Sequence, residues 1–342
     1  MRGSDGFFGL QSGGFRAEAR PGDGLCHRKP SPSVLRHLPR VSKPGRGGDS
    51  QMKSVSPCLA ALIVIAAVLS TAISCSQSSP DADRIGVIVT LLPQAEFAEA
   101  VGGDRVKVTV MVPPGADPHT YELTPGQMKE VDRAELYAKV GSGVEFELAW
   151  ADKLIAMNKD LVVVDCSRGI ELIEGVGEEK GEMDPHIWMS PRNVEIMVKN
   201  ICIGLSTVDA ENRAYYESNR DAYIAKLEAL DSQIRAGLAE VKNPVFMVYH
   251  PAFGYFAREY GLTMLPIEAE GKEPSAADLG RLIAQAKAQG IRVIFAEPQF
   301  NPQSARVIAD EIGGKVILVD PLARDYLRSM EELANQLIAA ME

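Results

Sequence analysis

The sequence predicts an α/β protein with two lobes, each built on a four-stranded, mainly parallel sheet, joined by one long helix. Eight short runs rich in β-branched residues are continuously apolar rather than alternating, which is typical of parallel strands buried on both faces. Helical segments separate these runs. Four runs fall before residue 170 and four follow residue 244, and a helical segment of roughly 30 residues lies between the two groups.

The eight apolar runs are the expected strands, four for each lobe. In chain order they cover residues 85–90, 106–111, 136–140, 161–165, 245–249, 262–267, 293–296 and 316–319. Ligands of open parallel sheets bind beyond the carboxyl ends of the strands. The loops that follow these runs are therefore the expected place for a binding site.

Four helix starts carry a capping signal. Two are capping boxes, in which a Ser or Thr is followed three positions later by a side chain that can bond back to it. Two others pair a capping residue with Pro at the first helical position. These pairs are Thr124 with Gln127, Ser275 with Asp278, Ser190 with Pro191, and Asn301 with Pro302.

The segment between the two groups of strands is predicted to be one stiff helix over 210–241. Asp209 can cap it, it contains one Gly near its end and no Pro, and its apolar residues recur with helical spacing. A helix of roughly 30 residues spans about 45 Å. We therefore expect a first lobe at 84–208, a linking helix at 209–242 and a second lobe at 243–342.

The charge of the chain is distributed unevenly. The 342 residues carry 46 acidic and 36 basic side chains, and the net charge of −10 argues against a nucleic-acid-binding protein. Residues 1–51 hold nine basic and four acidic side chains, and two of the five histidines. The remaining three histidines are therefore the entire imidazole content of the predicted lobes.

The start of the chain resembles a secretory signal. Residues 1–51 have no apolar periodicity and are interpreted as a disordered extension or as translation from a misassigned start. Residues 52–75 are interpreted as the signal peptide. Its end resembles a lipobox, with Cys75 as the lipidated residue and 76–83 as a tether. An uncleaved signal anchor is the alternative. Both place the lobes outside the cytoplasm and attached to a membrane.

Each of the three remaining histidines lies in a loop at, or shortly after, a strand exit. His119 follows the second strand, His186 follows the fourth, and His250 follows the fifth directly. Glu297 and Asp320 follow the seventh and eighth strands. Three imidazoles with a carboxylate or water suit tetrahedral Zn²⁺, whereas Mn²⁺ favours more oxygen ligands. The wide spacing of these residues forms no local metal signature.

Other functions lack their motifs or require a different site. No dinucleotide-binding, P-loop, serine-hydrolase or H-E-x-x-H motif is present. A zinc-dependent hydrolase could use Glu297 as its general base, but we favour a structural carboxylate that accepts hydrogen bonds from loop N–H groups or a ligand histidine. A receptor for a siderophore or corrinoid would need a wide aromatic or basic cleft. After Cys75 only Cys166 and Cys202 remain, which excludes a disulfide framework.

Six blocks of sequence resemble the ZnuA/TroA-type metal-binding receptors of ABC transporters for zinc and manganese. They occur in family order, and the resemblance covers essentially all of residues 84–342. The blocks are Pro114-Gly-Ala-Asp-Pro-His-Thr-Tyr-Glu122, Asp184-Pro-His-Ile-Trp188, His250-Pro-Ala-Phe-Gly-Tyr-Phe256, Glu273-Pro-Ser275, Phe295-Ala-Glu-Pro-Gln-Phe300 and Asp320-Pro-Leu322.

The resemblance implies two pseudo-symmetric lobes joined by a rigid helix, with the metal in the cleft between them. Carried over residue by residue, it implies the ligands His119, His186, His250 and Asp320. It also implies a monomeric receptor, not an enzyme, that delivers Zn²⁺ to a permease driven by an ATPase. Manganese-specific relatives tend to have a carboxylate where this chain has His250, so Zn²⁺ is favoured over Mn²⁺. The acidic loop at 174–182 is short and has no His, unlike that of many zinc receptors.

Overall fold

The computed structural model describes residues 84–175, 182–268 and 272–341. All of them belong to one compact unit, Cys75–Glu342. The predicted extension at 1–51, the signal peptide at 52–75 with Cys75, and the tether at 76–83 lie outside the described residues. Within the described part of the chain, no helix is both long enough and apolar enough to cross a membrane.

The eight strands form two separate four-stranded sheets, and every pairing is parallel. The first sheet has the order β2-β1-β3-β4, and the second repeats this plan as β6-β5-β7-β8. The strands are β1 Ile85–Val89, β2 Val106–Val110, β3 Leu136–Lys139, β4 Val162–Asp165, β5 Val245–Val248, β6 Thr263–Pro266, β7 Val293–Ala296 and β8 Lys315–Leu318. The predicted fold class is therefore confirmed, with strand ends displaced by at most one residue.

Nine α-helices are found among the described residues. They are α1 Leu92–Gly102, α2 Pro125–Arg133, α3 Glu145–Met157, α4 Pro191–Val208, α5 Arg213–Leu238, α6 Gly254–Tyr260, α7 Ala276–Ala288, α8 Gln303–Ile312 and α9 Tyr326–Met341. Because helices connect successive parallel strands, the carboxyl ends of the strands in each sheet meet at one edge.

Three of the four predicted helix caps are present. Thr124 and Ser275 form capping boxes at the starts of α2 and α7, and the Ser190 hydroxyl accepts a hydrogen bond in the first turn of α4. The fourth prediction is wrong by one residue. Asn301 Oδ1 accepts a hydrogen bond from the backbone N–H of Gln303, so it forms a turn of its own, and α8 begins only after Pro302.

The linking helix α5 is shorter than predicted. Asp209 is followed by a single 3-10 turn, Ala210–Asn212, and α5 then runs for 26 residues, or about 39 Å at 1.5 Å per residue. The Asp209 carboxylate accepts hydrogen bonds from the side chains of Asn212 and Tyr216, which ties the 3-10 turn to the first turn of the helix. The helix is therefore continuous over most of the predicted segment.

Helix α5 is fixed to elements of both lobes. Near its middle, the Tyr223 hydroxyl donates to Glu96 of α1 at 2.7 Å. Further along, the buried Asp231 carboxylate is bonded to Arg192 of α4 and to Tyr260 of α6. These side-chain contacts add to the apolar packing and make α5 a common support for the two sheets. The boundaries of the lobes themselves, at 209 and 242, remain a prediction.

Helix α4 packs closely on the first sheet at Gly204. A Cβ atom at this position would lie 2.4 Å from a methyl group of Val164 in β4 and 2.9 Å from one of Leu136 in β3. A small residue is therefore required where the helix crosses the sheet. The two thiols of this lobe, Cys166 and Cys202, are free and buried.

We expect Gly204→Ala to destabilise the protein by about 1–3 kcal/mol, because the added methyl group overpacks the contact between α4 and the sheet. The matched control is Gly280→Ala in the interior of α7, where nothing lies within 4 Å of the added Cβ. The control should be neutral or more stable by up to about 1 kcal/mol, since Ala favours helix. Urea denaturation measures both, and equal stability of the two variants would contradict the packing argument.

Candidate metal centre

Three histidines converge between the two sheets. His119 lies in the loop after β2, His186 directly precedes the 3-10 turn Ile187–Met189, and His250 follows β5 by two residues. One ring nitrogen from each lies within 4.8 Å of the others. The two Nε2 atoms of His186 and His250 are 3.2 Å apart. The structure therefore brings together all three histidines that the sequence singled out.

The spacing of the nitrogen atoms matches the dimensions of a small cation site. A tetrahedral zinc ion with Zn–N bonds of 2.0–2.1 Å holds its ligand atoms about 3.3 Å apart. The Nε2 atoms of His186 and His250 are already at this separation. When both rings carry their proton on Nδ1, two lone pairs face each other here, and a cation between them removes their repulsion.

Each of the three imidazoles has a carboxylate on its Nδ1 atom. These carboxylates fix the orientation of the rings and leave the Nε2 atoms as the ligand atoms, an arrangement that is typical of metal-binding histidines. The pairs are His119 with Glu145 at 2.9 Å, His186 with Asp184 at 2.8 Å, and His250 with Glu268 at 3.2 Å. None of these three carboxylates was among the site residues predicted from the sequence.

The protonation of the histidines follows their surroundings. Burial lowers the pKa of His119, but the hydrogen bond and charge of Glu145 outweigh it, so that its pKa lies above the usual value. The pKa of Glu145 is correspondingly lowered: burial raises it, and the bond to His119 more than compensates. Burial dominates at His250 and lowers its pKa, despite the bond to Glu268. His250 therefore stays neutral to more acid pH than His119.

The two first-lobe histidines lie in loops of the same design. In each, the carboxylate of an Asp two residues before the His accepts a hydrogen bond from the backbone N–H of that His, at 2.9 Å for Asp117 and at 2.8 Å for Asp184. The Asp-Pro-His sequence favours such a turn, because Asp bonds to the backbone two residues on and Pro restricts the backbone between them. This repeated tripeptide is the signal by which the role of Asp184 could have been recognised.

A glycine in the second lobe makes room for Asp184. Gly254 begins α6, and a Cβ atom there would lie 2.2 Å from Asp184 Oδ2. The adjacent Tyr255 hydroxyl donates to the backbone carbonyl of Asp184 at 3.1 Å. The support of His186 therefore depends on a close approach between the two lobes, which no local motif of the sequence indicates.

The histidines line a small cavity with mostly apolar walls. Its free volume is about 30 Å³, which is room for about two water molecules. Phe300 packs on the His250 ring at 4.8 Å between centroids, and the edge of Trp188 meets His186 at 5.3 Å. Trp188 also donates to the Pro321 carbonyl at 2.9 Å. The lining comprises Pro118, His119, Val144, Glu145, Pro185, His186, Trp188, His250, Ala252, Gln299, Phe300, Pro321 and Leu322.

Asp320 lies beside this cavity but is not brought into the histidine cluster. Its Oδ1 accepts hydrogen bonds from the Gln299 amide at 2.7 Å and from the Leu322 backbone at 2.9 Å. Both of these partners line the cavity. The role of Asp320 as fourth ligand therefore stays a prediction.

Glu297 is completely buried behind His250. Its Oε2 accepts a hydrogen bond from the backbone N–H of His250 at 3.2 Å. Burial raises its pKa to about 8, so the carboxyl group holds a proton at neutral pH. The contact agrees with a structural role in which Glu297 accepts a hydrogen bond from a loop N–H group. A protonated carboxylic acid is also a poor general base.

The chain resembles proteins of known kind over most of its length. The family model for the periplasmic zinc-uptake complex component A, ZnuA, matches residues 87–340. The high-affinity zinc uptake system protein ZnuA of Bacillus subtilis is 34% identical over 280 residues, which are 76% of this chain and 88% of that protein. The zinc-binding lipoprotein AdcA of Streptococcus pneumoniae is 29% identical over 286 residues, 79% of this chain and 56% of that protein.

Solved structures agree with these sequence matches. A crystal structure of ZnuA superimposes with a TM-score of 0.72 at 40% identity, covering 76% of this chain and all of that one. The fold and the three converging imidazoles define a two-lobed protein with a site between its sheets whose side chains could bind a metal ion. The chain belongs to the ZnuA family, as the match over residues 87–340 shows.

The carboxylate partners predict the tautomers of the buried histidines. We expect neutral His186 and His250 to carry their proton on Nδ1, because Asp184 and Glu268 can only accept at that atom. Long-range ¹H–¹⁵N spectra of the metal-free protein at about pH 8, where imidazoles are neutral, report the tautomer of each ring. A proton on Nε2 of either ring would contradict this orientation of the ligand atoms.

Proposed function

We propose that this protein is the extracytoplasmic receptor of a metal-uptake ABC transporter, which captures Zn²⁺ and delivers it to the membrane permease. The observation that carries the proposal is the convergence of three imidazole nitrogens within 4.8 Å, beside a cavity of about 30 Å³. His119, His186 and His250 supply three ligands, and Asp320 supplies the fourth. The ion is the cargo of the protein and not a catalytic cofactor.

Donor chemistry favours Zn²⁺ over Mn²⁺. Imidazole nitrogen suits zinc and other late metals, whereas Mn²⁺ prefers oxygen donors. Three nitrogens and one carboxylate make a complete tetrahedral site. Of the three rings, His250 is the most tightly enclosed, by Phe300, His119 and His186, which leaves little room for the additional ligands of an octahedral ion. A manganese receptor of the same family is the alternative.

The size of the cavity argues against a larger cargo. A free volume of about 30 Å³ has room for an ion with one or two water molecules, not for a siderophore or corrinoid. A zinc-dependent hydrolase would need a base that reaches the metal-bound water. Glu297 is buried, bonded to the backbone of His250 and has a raised pKa, so it does not suit this role. We therefore propose that the protein is not an enzyme.

The relatives support the place of this protein in uptake. They are called a high-affinity zinc uptake system protein and a zinc-binding lipoprotein. By analogy, we propose that this chain acts as a monomer with a permease and its ATPase subunit. We also propose that residues 52–75 direct its export and that Cys75 carries the lipid that holds it at the membrane.

Capture and release use different parts of the site. The Nδ1 carboxylates hold the rings in place before the ion arrives, so little ordering is needed on binding. Helix α5 limits the movement of the lobes, and release then depends on the second-lobe loops that carry His250 and Asp320. Contact with the permease would displace these loops and reduce the number of ligands.

Removal of one imidazole tests the ligand set. We expect His250→Ala to weaken Zn²⁺ binding by at least about 100-fold, because one of the three nitrogen ligands is lost from a preformed site. Isothermal titration with a competing chelator measures the affinity, and circular dichroism should show an unchanged fold. Wild-type affinity in this variant would overturn the site.

The matched control for the titration of His250→Ala is Asn301→Ala, a change in an exposed turn that should leave Zn²⁺ binding unaffected.

Competition between metals tests the choice of cargo. In the wild-type protein, Mn²⁺ should not displace Zn²⁺ even in large excess. Displacement at comparable concentrations would favour the manganese receptor, and the absence of any Zn²⁺ binding would overturn the proposed function.

The affinity should fall in acid, because protons compete with Zn²⁺ for the imidazoles. The raised pKa of His119 places the first loss of affinity above the usual histidine value of about 6.5. Because the pKa of His250 is lowered, protonation of His250 reduces the affinity only at more acid pH. Competitive titrations from about pH 8 to about pH 5 should therefore show a decline that steepens in acid. A constant affinity over this range would contradict the imidazole ligands.

A further inference from the structure

The three histidine–carboxylate pairs of the site differ sharply in their exposure to solvent. In the pair of His119 and Glu145, 29% and 46% of the side chains are exposed. No side chain in the other two pairs is more than 9% exposed. The buried pairs are therefore fixed supports, whereas the exposed pair lies at the mouth of the cavity.

Glu145 is also the one carboxylate among the described residues that line the cavity. The other lining side chains are the three imidazoles, one amide and a set of apolar groups, including Val144, Phe300 and Leu322. Asp184 and Glu268 support their rings from behind and do not line it. Of the described residues that line the cavity, Glu145 is therefore the one whose negative charge attracts a cation that enters from solvent.

The apolar surroundings strengthen the effect of this single charge. A carboxylate at the mouth of a cleft with low-dielectric walls focuses the field on the approaching cation and raises its association rate. Glu145 is the first residue of α3, and its position is fixed by the bond between its Oε1 and His119 Nδ1 at 2.9 Å. The same side chain thus touches both the solvent and the most exposed ligand.

We propose that Glu145 is the capture carboxylate of the site: it binds the incoming cation at the mouth and transfers it to His119 and then to the buried imidazoles. This inference rests on the proposed function. Glu145 then has two roles. Its charge accelerates association of the cation, whereas its hydrogen bond to His119 holds the ring and slows dissociation. No bond other than metal coordination forms or breaks in the transfer.

Variants at Glu145 can separate these roles. Glu145→Gln keeps an oxygen that accepts from His119 Nδ1 but removes the charge, so the association rate constant for Zn²⁺ should fall about tenfold. The association rate constant of this variant should also depend much less on salt than that of the wild-type protein between about 20 mM and about 300 mM NaCl. Glu145→Asp keeps the charge but is too short for the bond to His119, so association should stay fast and dissociation should become faster.

The matched control is Asp152→Asn, which removes one negative charge from an exposed position on the same helix, two turns further on. Its association rate should stay within about twofold of the wild-type value, because salt screens distant surface charges. Stopped-flow mixing of each protein with Zn²⁺, in competition with a fluorescent zinc chelator, gives the association and dissociation rates separately.

The outcomes distinguish the two proposals. If Glu145→Gln binds Zn²⁺ as fast as Asp152→Asn, and its loss of affinity lies entirely in dissociation, Glu145 only positions His119 and the capture role is wrong. The proposed function stands in that case, since the wild-type protein still binds Zn²⁺. If the wild-type protein does not bind Zn²⁺ at all, both proposals are wrong.

Discussion

The hydrogen bond from each imidazole Nδ1 to a carboxylate is the interaction on which the site depends. A histidine ring can present either nitrogen, and the position of the Nδ1 partner decides which one. Asp184, Glu268 and Glu145 each engage Nδ1, so the Nε2 atoms turn toward one another. The rest of the architecture positions these carboxylates. Three histidines that merely lay close together, without such partners, would not form a preorganised site.

The fold positions these pairs by using the same sheet plan twice. In the orders β2-β1-β3-β4 and β6-β5-β7-β8, β2 is an edge strand of the first sheet, whereas β5 lies next to the edge of the second sheet, in the position that β1 has in the first. His119 and His250 therefore follow strands that are not equivalent, and they share only their position beyond the carboxyl end of a strand. Helix α5 then fixes the sheets through Tyr223 and the buried Asp231. The contact of Gly254 with Asp184 links the support of one lobe to a helix of the other.

Much of this organisation could be predicted from the residues. The continuous apolar runs indicated eight strands, because strands buried on both faces have no polar face to interrupt them. The three histidines followed from their positions at strand exits. The supports Glu145 and Glu268 could not be found in this way, since each reaches its histidine from a different element. The helix ends at Asp209 and Asn301 were displaced because side-chain bonds there favour local turns over caps.

The sequence by itself determined the elements of this protein and the types of its ligands, because apolar periodicity and donor chemistry are properties of residues and short segments. The tertiary structure decided which nitrogen of each ring faces the cavity and which histidine is exposed. It also placed the carboxylate of Asp320 against Gln299, beside the cavity rather than among the histidines. These properties depend on contacts between separate loops, from 21 residues apart for Gln299 and Asp320 to 64 for His186 and His250, which are set only when the sheets pack around α5.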